Sequence, residues 1–210
     1  MRKLTPELLD HLPHEDAAAI ASRQDLRRVN FFMGNEAWIF SKISKDTKSL
    51  TEIGAGDGFL LQKISQTYPD TAICAYDLAP RPEFLNPQVK WLQGDLFAEI
   101  SRPTGGTLIA NLFLHHFTDE CLSSLAAWFS GFDQLIFNEP LRARLPLALG
   151  CLAWPFIHPV TRHDMRVSIE AGFIPGELPK LLSLSNHGFH FKEETSLRGS
   201  LRLLAAKRKT

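Results

Sequence analysis

Three cysteines are too few, and too scattered, to organise this chain. Cys74, Cys121 and Cys151 are odd in number and form no Cys-x-x-Cys pair, which excludes a disulfide framework and the usual thiolate zinc sites. Each lies in an apolar context that suits a reduced interior residue, so a cytoplasmic setting is expected. A surplus of charge is missing too: 23 Lys plus Arg balance 23 Asp plus Glu, for a formal net charge of zero. Nothing therefore attracts the chain as a whole to phosphate polymers, and nucleic acid is not expected as a partner. Long hydrophobic runs are absent. The longest greasy stretch, Leu145 to Ile157, is broken by Pro146, Gly150 and Pro155 and falls short of the ~20 residues that span a bilayer, so no transmembrane segment is expected. It reads as a core helix followed by a buried loop; the functional alternative is an apolar substrate wall or lid, or a surface that touches lipid. The first residues lack the continuous apolar segment of a signal peptide. There is no internal repeat and no low-complexity tract.

What is present suffices for one domain. At 210 residues, 44% of them hydrophobic, the chain can form a single α/β domain with a full core. From Glu15 to Ile43, Ala18, Ile20, Leu26, Val29, Phe32, Trp38, Ile39 and Ile43 recur at helical spacing, and Gly34 offers a break between two helices. These residues belong to a helical extension, 1–46, that could fold over a site, with Arg27, Arg28 and Asn30 as its polar residues of interest.

Beyond residue 46 the elements alternate. Short apolar runs predict strands at Ser49–Ile53, Thr71–Tyr76, Val89–Leu92, Thr107–Ala110 and Gln134–Asn138, and helical spacing predicts Gly58–Thr67, Asp119–Ser130 and Thr161–Ala171. The strands are mostly unalternating, as strands covered on both faces should be. A doubly wound, mostly parallel sheet with helices on both faces follows. Gly188–Thr195 and Ser200–Ala206, joined through Arg198-Gly199, predict an antiparallel hairpin that closes it.

The most informative segment is Leu50 to Leu61, Leu-Thr-Glu-Ile-Gly-Ala-Gly-Asp-Gly-Phe-Leu-Leu. A strand ends in an acid, Glu52, followed by a turn with Gly54, Gly56 and Gly58 and then a helix. Glycine accepts positive φ there and lets a ligand approach the backbone. The dinucleotide fingerprint Gly-x-Gly-x-x-Gly places its third glycine one residue later, and Asp57 would oppose a pyrophosphate at the helix N-terminus.

This pattern resembles the cofactor loop of the class I, Rossmann-like S-adenosylmethionine-dependent methyltransferases, an acid and an apolar residue before Gly-x-Gly-x-Gly. The resemblance extends from about Thr47 to Arg208 and implies a methyltransferase domain over 47–210, with seven strands, the last inserted antiparallel beside the sixth. It implies S-adenosylmethionine as cofactor, S-adenosylhomocysteine as product, and a cofactor site built from Glu52, Gly54, Ala55, Gly56, Gly58, Asp77, Leu78, Asp95, Leu96, Asn111 and Leu112. In that assignment Glu52 faces the ligand's ammonium, Asp77 accepts the ribose hydroxyls, and Asp95 with Leu96 meets the adenine. Asn111-Leu112-Phe113-Leu114-His115-His116-Phe117 is similar to the Leu-His-His-Phe of small-molecule methyltransferases. It lacks the Pro-Pro typical of enzymes that methylate amide or nucleobase nitrogens. One departure is Gly105-Gly106-Thr107, where the family often opens the fourth strand with aspartate.

His115 and His116 can titrate near neutrality, so either could take a proton from a phenol, enol or carboxylic acid; adjacent side chains diverge, and at most one should face the pocket. Glu139 could serve as a base, hold a polar group of the substrate, or pair with Arg142. His163 is a lesser base candidate beside Thr161, read as a helix cap. No carboxylate sits at ligand spacing from the histidines, so no metal is expected. The reading is therefore transfer of a methyl group to the oxygen or carbon of a small, apolar or aromatic acceptor. A nicotinamide-dependent oxidoreductase and a non-catalytic nucleoside-binding partner are the alternatives.

Overall fold

Seven strands form one sheet in the computed structural model, which describes residues 1–13, 15–98 and 102–207. They are β1 (Ser49–Ile53), β2 (Ala72–Asp77), β3 (Lys90–Gln93), β4 (Thr107–Asn111), β5 (Gln134–Pro140), β6 (Phe189–Thr195) and β7 (Ser200–Lys207), and they lie side by side in the order β3-β2-β1-β4-β5-β7-β6. The first five are parallel to one another. β7 runs antiparallel to both β5 and β6. The expected mostly parallel sheet with an inserted antiparallel strand is thus the observed one. Chain order reverses at β1, with β2 on one side and β4 on the other. The crevice at the carboxyl ends of these strands is where open α/β sheets bind ligands.

Helices cover both faces. α2 (Asn35–Lys42) and α3 (Phe59–Thr67) supply Trp38, Ile39, Leu61 and Ile64 to one core, against Leu50, Ile109 and Ile136 of the strands. α4 (Asp119–Phe129) supplies Leu122, Leu125, Trp128 and Phe129 to the other, against Leu108, Leu135 and Phe137. Each such side chain removed from water contributes about 1.5–3 kcal/mol, and these contacts anchor the strands that hold the site. The N-terminal helices meet the expectation: α1 (Ala17–Met33) ends at Gly34, whose φ of 70° produces the break before α2.

Three expectations about local structure need correction. The helix α6 runs Pro159–Ala171 and is capped by the His158 side chain, not by Thr161; the Thr161 hydroxyl turns inward to Ser22 and Asp25. A buried polar seam with α1 therefore replaces the cap. The Leu145–Ile157 stretch is not a core helix with a buried loop: α5 (Arg144–Ala153) leaves Leu145, Leu149 and, just beyond it, Trp154 and Phe156 exposed. Cys151 is exposed rather than interior. A further short helix, α7 (Glu177–Leu181), follows β-like pairing at Phe173 with Leu141 and went unmarked by periodicity.

The first dozen residues are not a loose tail. Arg2 is buried, stacks 4.1 Å over the Phe173 ring, and donates to the carbonyls of Ala171 and His115 and to Asp119. Lys3 N–H donates to Glu170 O, and the Leu8 and Leu9 N–H groups donate to the Asp164 carboxylate. This strap joins α6 to the start of α4.

Candidate active site

The glycine turn follows β1 as its residue types require. Gly54, Gly56 and Gly58 all have positive φ, 67°, 55° and 72°. Two of them need glycine for different reasons. A Cβ on Gly54 would lie 2.1 Å from the Phe113 ring, whereas one on Gly56 would meet nothing within 4 Å. Gly54 thus admits a neighbouring side chain and Gly56 faces open space. Ala55 is buried against α3 and fixes the bend. Asp77, ending β2, accepts from Gly56 N–H at 2.7 Å and from Ala79 N–H at 2.8 Å. Burial raises its pKa and these donors oppose that, so it is a carboxylate held against the turn.

Glu52 is the most exceptional group here. It is buried, and its Oε2 has no hydrogen-bond partner. Burial first, then the negative charges of Asp77 and Asp57, push its pKa well above the ordinary carboxylate value. A buried acid among other acids invites a cation. Leu78 is exposed beyond Asp77, while Leu96 is buried in the core with Tyr76 and Trp128, and Asp95 caps its own turn through Phe97 N–H. Leu78 is therefore the better placed of the two leucines to meet a planar ligand. The Asn111 Oδ1 accepts from Asn138 Nδ2, and Leu112 adopts φ 55° with its N–H on Asn138 O. That left-handed leucine turns the chain sharply out of β4.

The turn leads into a short 3₁₀ segment, Leu114–His116, organised around Glu139. Glu139 does not pair with Arg142, which binds Glu177 instead. It is fully buried and accepts from the N–H groups of Phe113, Leu114 and His115 at 3.1, 2.9 and 3.2 Å, with His115 Nδ1 2.9 Å away. Three backbone donors and one imidazole make it a positioning group, without a free lone pair for a substrate proton.

Glu7 was invisible in the sequence because it lies far from both histidines along the chain. The strap places its Oε1 3.5 Å from His115 Nε2 and 4.0 Å from His116 Nε2, with Ser168 Oγ donating to it. One ligand atom from each of Glu7, His115 and His116 falls within 4.8 Å of the others, so a carboxylate does reach ligand distance of the histidines, through folding and not through spacing. Beside them opens a cavity of about 330 Å³ lined by Leu4, Pro6, Glu7, Asp10, Val167 and both His115 and His116, among others; the two imidazole rings lie 4.3 Å apart, so the expected divergence, with at most one histidine facing the pocket, is not observed.

The two histidines have opposite electrostatics. Burial disfavours the His115 imidazolium, but the hydrogen bond to Glu139 and the carboxylate of Glu7, 3.5 Å from Nε2, outweigh it and raise its pKa to about 9. Burial and the neighbouring His115 charge both lower His116, against smaller opposing effects of Glu7, Asp10 and Glu139. His115 is therefore a charged strut at neutral pH, and His116, its side chain 30% exposed, is the neutral imidazole. His163 joins neither: its Nδ1 lies 3.0 Å from Asp164, the acceptor of the strap's N–H groups. Among the residues to watch in the extension, Arg27 reaches Asp57 of the glycine turn at 2.9 Å, Arg28 pairs with Asp25, and Asn30 accepts from Asn35. The extension thus touches the turn through Arg27.

Comparison with known proteins places these features in context. A family model, described as an O-methyltransferase domain, matches residues 16–128, just over half of the chain. A search of curated proteins found no significant match. Among solved structures the fold is similar to the plantazolicin methyltransferase BpumL in complex with SAH, with TM-score 0.71 and 14% identity over 93% of this chain and 92% of that one. It is also similar to human N-acetylserotonin methyltransferase in complex with SAM, with TM-score 0.58 and 20% identity over 95% of this chain and 61% of that one. The pyocyanin biosynthetic protein PhzM gives TM-score 0.63 and 16% identity over 95% and 60%.

Proposed function

Because the chain belongs to the O-methyltransferase domain family, we propose that it is an S-adenosylmethionine-dependent methyltransferase whose acceptor is a small apolar or aromatic molecule bearing an acidic hydroxyl. Membership and glycine spacing together favour methyl transfer over hydride transfer. The residues present fit the cofactor on two observations: the partnerless, buried Glu52 Oε2 suits an α-ammonium, and Gly56 leaves the turn open to a ligand. Glu52 would hold the amino-acid end, Asp77 the ribose hydroxyls and Leu78 the adenine. When bound, S-adenosylmethionine supplies an electrophilic sulfonium methyl.

The observation that supports the acceptor site is the 3₁₀ segment that joins the glycine turn to the cavity. Its Phe113 end packs on Gly54, and its His116 end lines the cavity. An acceptor seated in that cavity has apolar walls from Leu4, Pro6 and Val167 and a neutral imidazole at its polar end. His116 takes the hydroxyl proton through whichever ring nitrogen is free, and the oxygen gains nucleophilicity. His115, clamped between Glu139 and Glu7, keeps its proton and holds the backbone of the segment in place. The strap and α6 keep water from the oxygen.

The test has two stages. Titration with S-adenosylhomocysteine and, separately, NADH decides the cofactor, with saturable binding of the first alone expected. Labelled-methyl transfer is then measured across phenols, hydroxylated heteroaromatics and carboxylic acids. His116→Ala should lower kcat on the best acceptor by about 10²–10⁴-fold while leaving S-adenosylhomocysteine affinity unchanged. Full turnover in that variant would remove the base assignment.

A further inference from the structure

We infer that the edge of the protein around its site docks on an anionic lipid bilayer, from which a lipophilic acceptor would be drawn. Three segments converge on that edge. Phe31 and Phe32 end α1, Leu197 sits in the β6–β7 turn, and Leu145, Leu149, Trp154 and Phe156 belong to α5 and the turn after it. The last pairing of β5 with β7, Pro140 to Ser200, places the β6–β7 turn at the carboxyl edge of the parallel strands. α5 starts directly beyond the same end of β5. Arg198 of that turn donates to Phe32 O and lies 5.4 Å from the Phe32 ring, and a Cβ on its neighbour Gly199 would touch Pro146 at 3.1 Å. The three segments are therefore contiguous.

Water is a poor partner for this surface. Phe31 and Phe156 are each 82% exposed, and Leu197 is 84% exposed. Large apolar side chains gathered in one place mark a contact surface, whereas single ones need no explanation. The occupant follows from composition and charge. Trp and Phe beside leucines, on a short helix with arginine at its start, is the make-up of a segment that lies in the headgroup region. Arg144 and Arg198 are exposed and carry no carboxylate partner among the described residues, whereas Asp25, Asp57 and Glu177 of the same edge are paired with Arg28, Arg27 and Arg142. The charge carried by the three apolar segments themselves is therefore positive and complements anionic headgroups. A second copy fits less well, because a symmetric pair would meet across the edge where ligands must enter, while a bilayer there delivers an apolar molecule. The acceptor's lipophilicity rests on the methyl-transfer reading; the docking does not.

The experiment is flotation of the full chain with vesicles of phosphatidylcholine alone and of phosphatidylcholine with about 30 mol % phosphatidylglycerol, at low and high salt. Binding to the anionic vesicles is expected, weaker in high salt. The exposed double variant Leu149→Ser/Phe156→Ser should weaken it about tenfold or more, and Arg144→Glu should weaken it at low salt only. Thermal melting and S-adenosylhomocysteine affinity, both expected to match the parent, show that each variant is folded and keep this outcome separate from failure of the enzymatic reading. The inference is overturned if the parent floats with neither vesicle or if the variants float as the parent does. It is also overturned if the parent is a dimer that the same substitutions dissociate.

Discussion

Glu7 Oε1 lies 3.5 Å from His115 Nε2, on the side of the imidazole opposite Glu139. A segment from the start of the chain thereby completes the electrostatics of the fourth strand's exit. Burial of Glu7 works against its ionisation, but the His115 imidazolium 3.5 Å away and the Ser168 hydroxyl that donates to it lower its pKa overall. It is therefore ionised across the working range and raises the pKa of its neighbours. Glu7→Gln removes that charge, and His116, for which Glu7 is an opposing, pKa-raising influence, should titrate lower still. The expected result is that the acid limb of the kcat/KM profile, already below the ordinary histidine value of 6.5, moves to lower pH. An unmoved limb would place another group on that limb.

His115 also links stability to pH. Its folded pKa, about 9, lies above the ordinary 6.5, so the folded state holds the proton more tightly than the unfolded chain does. The resulting stabilisation is complete below about pH 6.5 and is lost as pH rises through about 9. Melting temperature should decline across that window at constant ionic strength, and His115→Gln should flatten the decline. A parent protein that melts at the same temperature at both ends of the window would show that the bracketing carboxylates do not hold the proton.

The strap itself should be a measurable part of the fold. Arg2 is buried, and its guanidinium serves two backbone carbonyls and Asp119 while stacking on Phe173. Arg2→Ala leaves the carbonyls of Ala171 and His115 without that donor, at a cost of about 2–3 kcal/mol. Chemical denaturation reads this directly. A change below about 0.5 kcal/mol, typical of an exposed substitution, would show that the strap is loosely held.

The sheet could be read in the sequence because its causes are local. Unalternating apolar runs such as Leu108-Ile109-Ala110 are strands covered on both faces, and Gly34 and Gly58 stand where the backbone turns left-handed. The placement of Glu52 and Asp77 beside the glycine turn was legible because a turn and a strand end fix them within a few residues. Glu7, by contrast, is recruited to the histidines by Asp164, Ser168 and Arg2 contacts between distant segments, and no periodicity records such pairings. Glu139 misled for a related reason. Arg142 is close in sequence, but Glu177 of α7 takes it, leaving Glu139 free to gather backbone donors. α5 misled because greasiness reports transfer out of water without saying into what.

Glu52 gives the cofactor turn a proton signature. Buried beside Asp77 and Asp57, it favours the neutral acid, and a ligand ammonium placed against it would favour the carboxylate. Binding of S-adenosylhomocysteine should release protons, increasingly so as pH falls. Calorimetry in buffers of different ionisation enthalpy measures the number released. Glu52→Gln should abolish the release and weaken binding by about tenfold or more, since roughly 1.4 kcal/mol of charge pairing corresponds to that factor. Binding without proton exchange in the parent would mean that the carboxylate does not meet the ammonium.

The contact between Gly54 and Phe113 allows strain and clash to be separated. Alanine at position 54 would adopt φ 67° and press its Cβ to 2.1 Å from the ring. Left-handed strain alone costs roughly 1–2 kcal/mol, and the overlap adds displacement of Phe113, hence of the segment that ends at His116. Gly54→Ala should therefore lower both stability and turnover. Trimming the ring as well, in Gly54→Ala/Phe113→Ala, removes the overlap and keeps the strained φ. The double variant should recover S-adenosylhomocysteine binding relative to Gly54→Ala, but not the parent's stability, because strain remains and Phe113 packing is lost. Additive losses of binding in the cycle would show that ring and turn act independently, and the segment would then have no mechanical link to the cofactor loop.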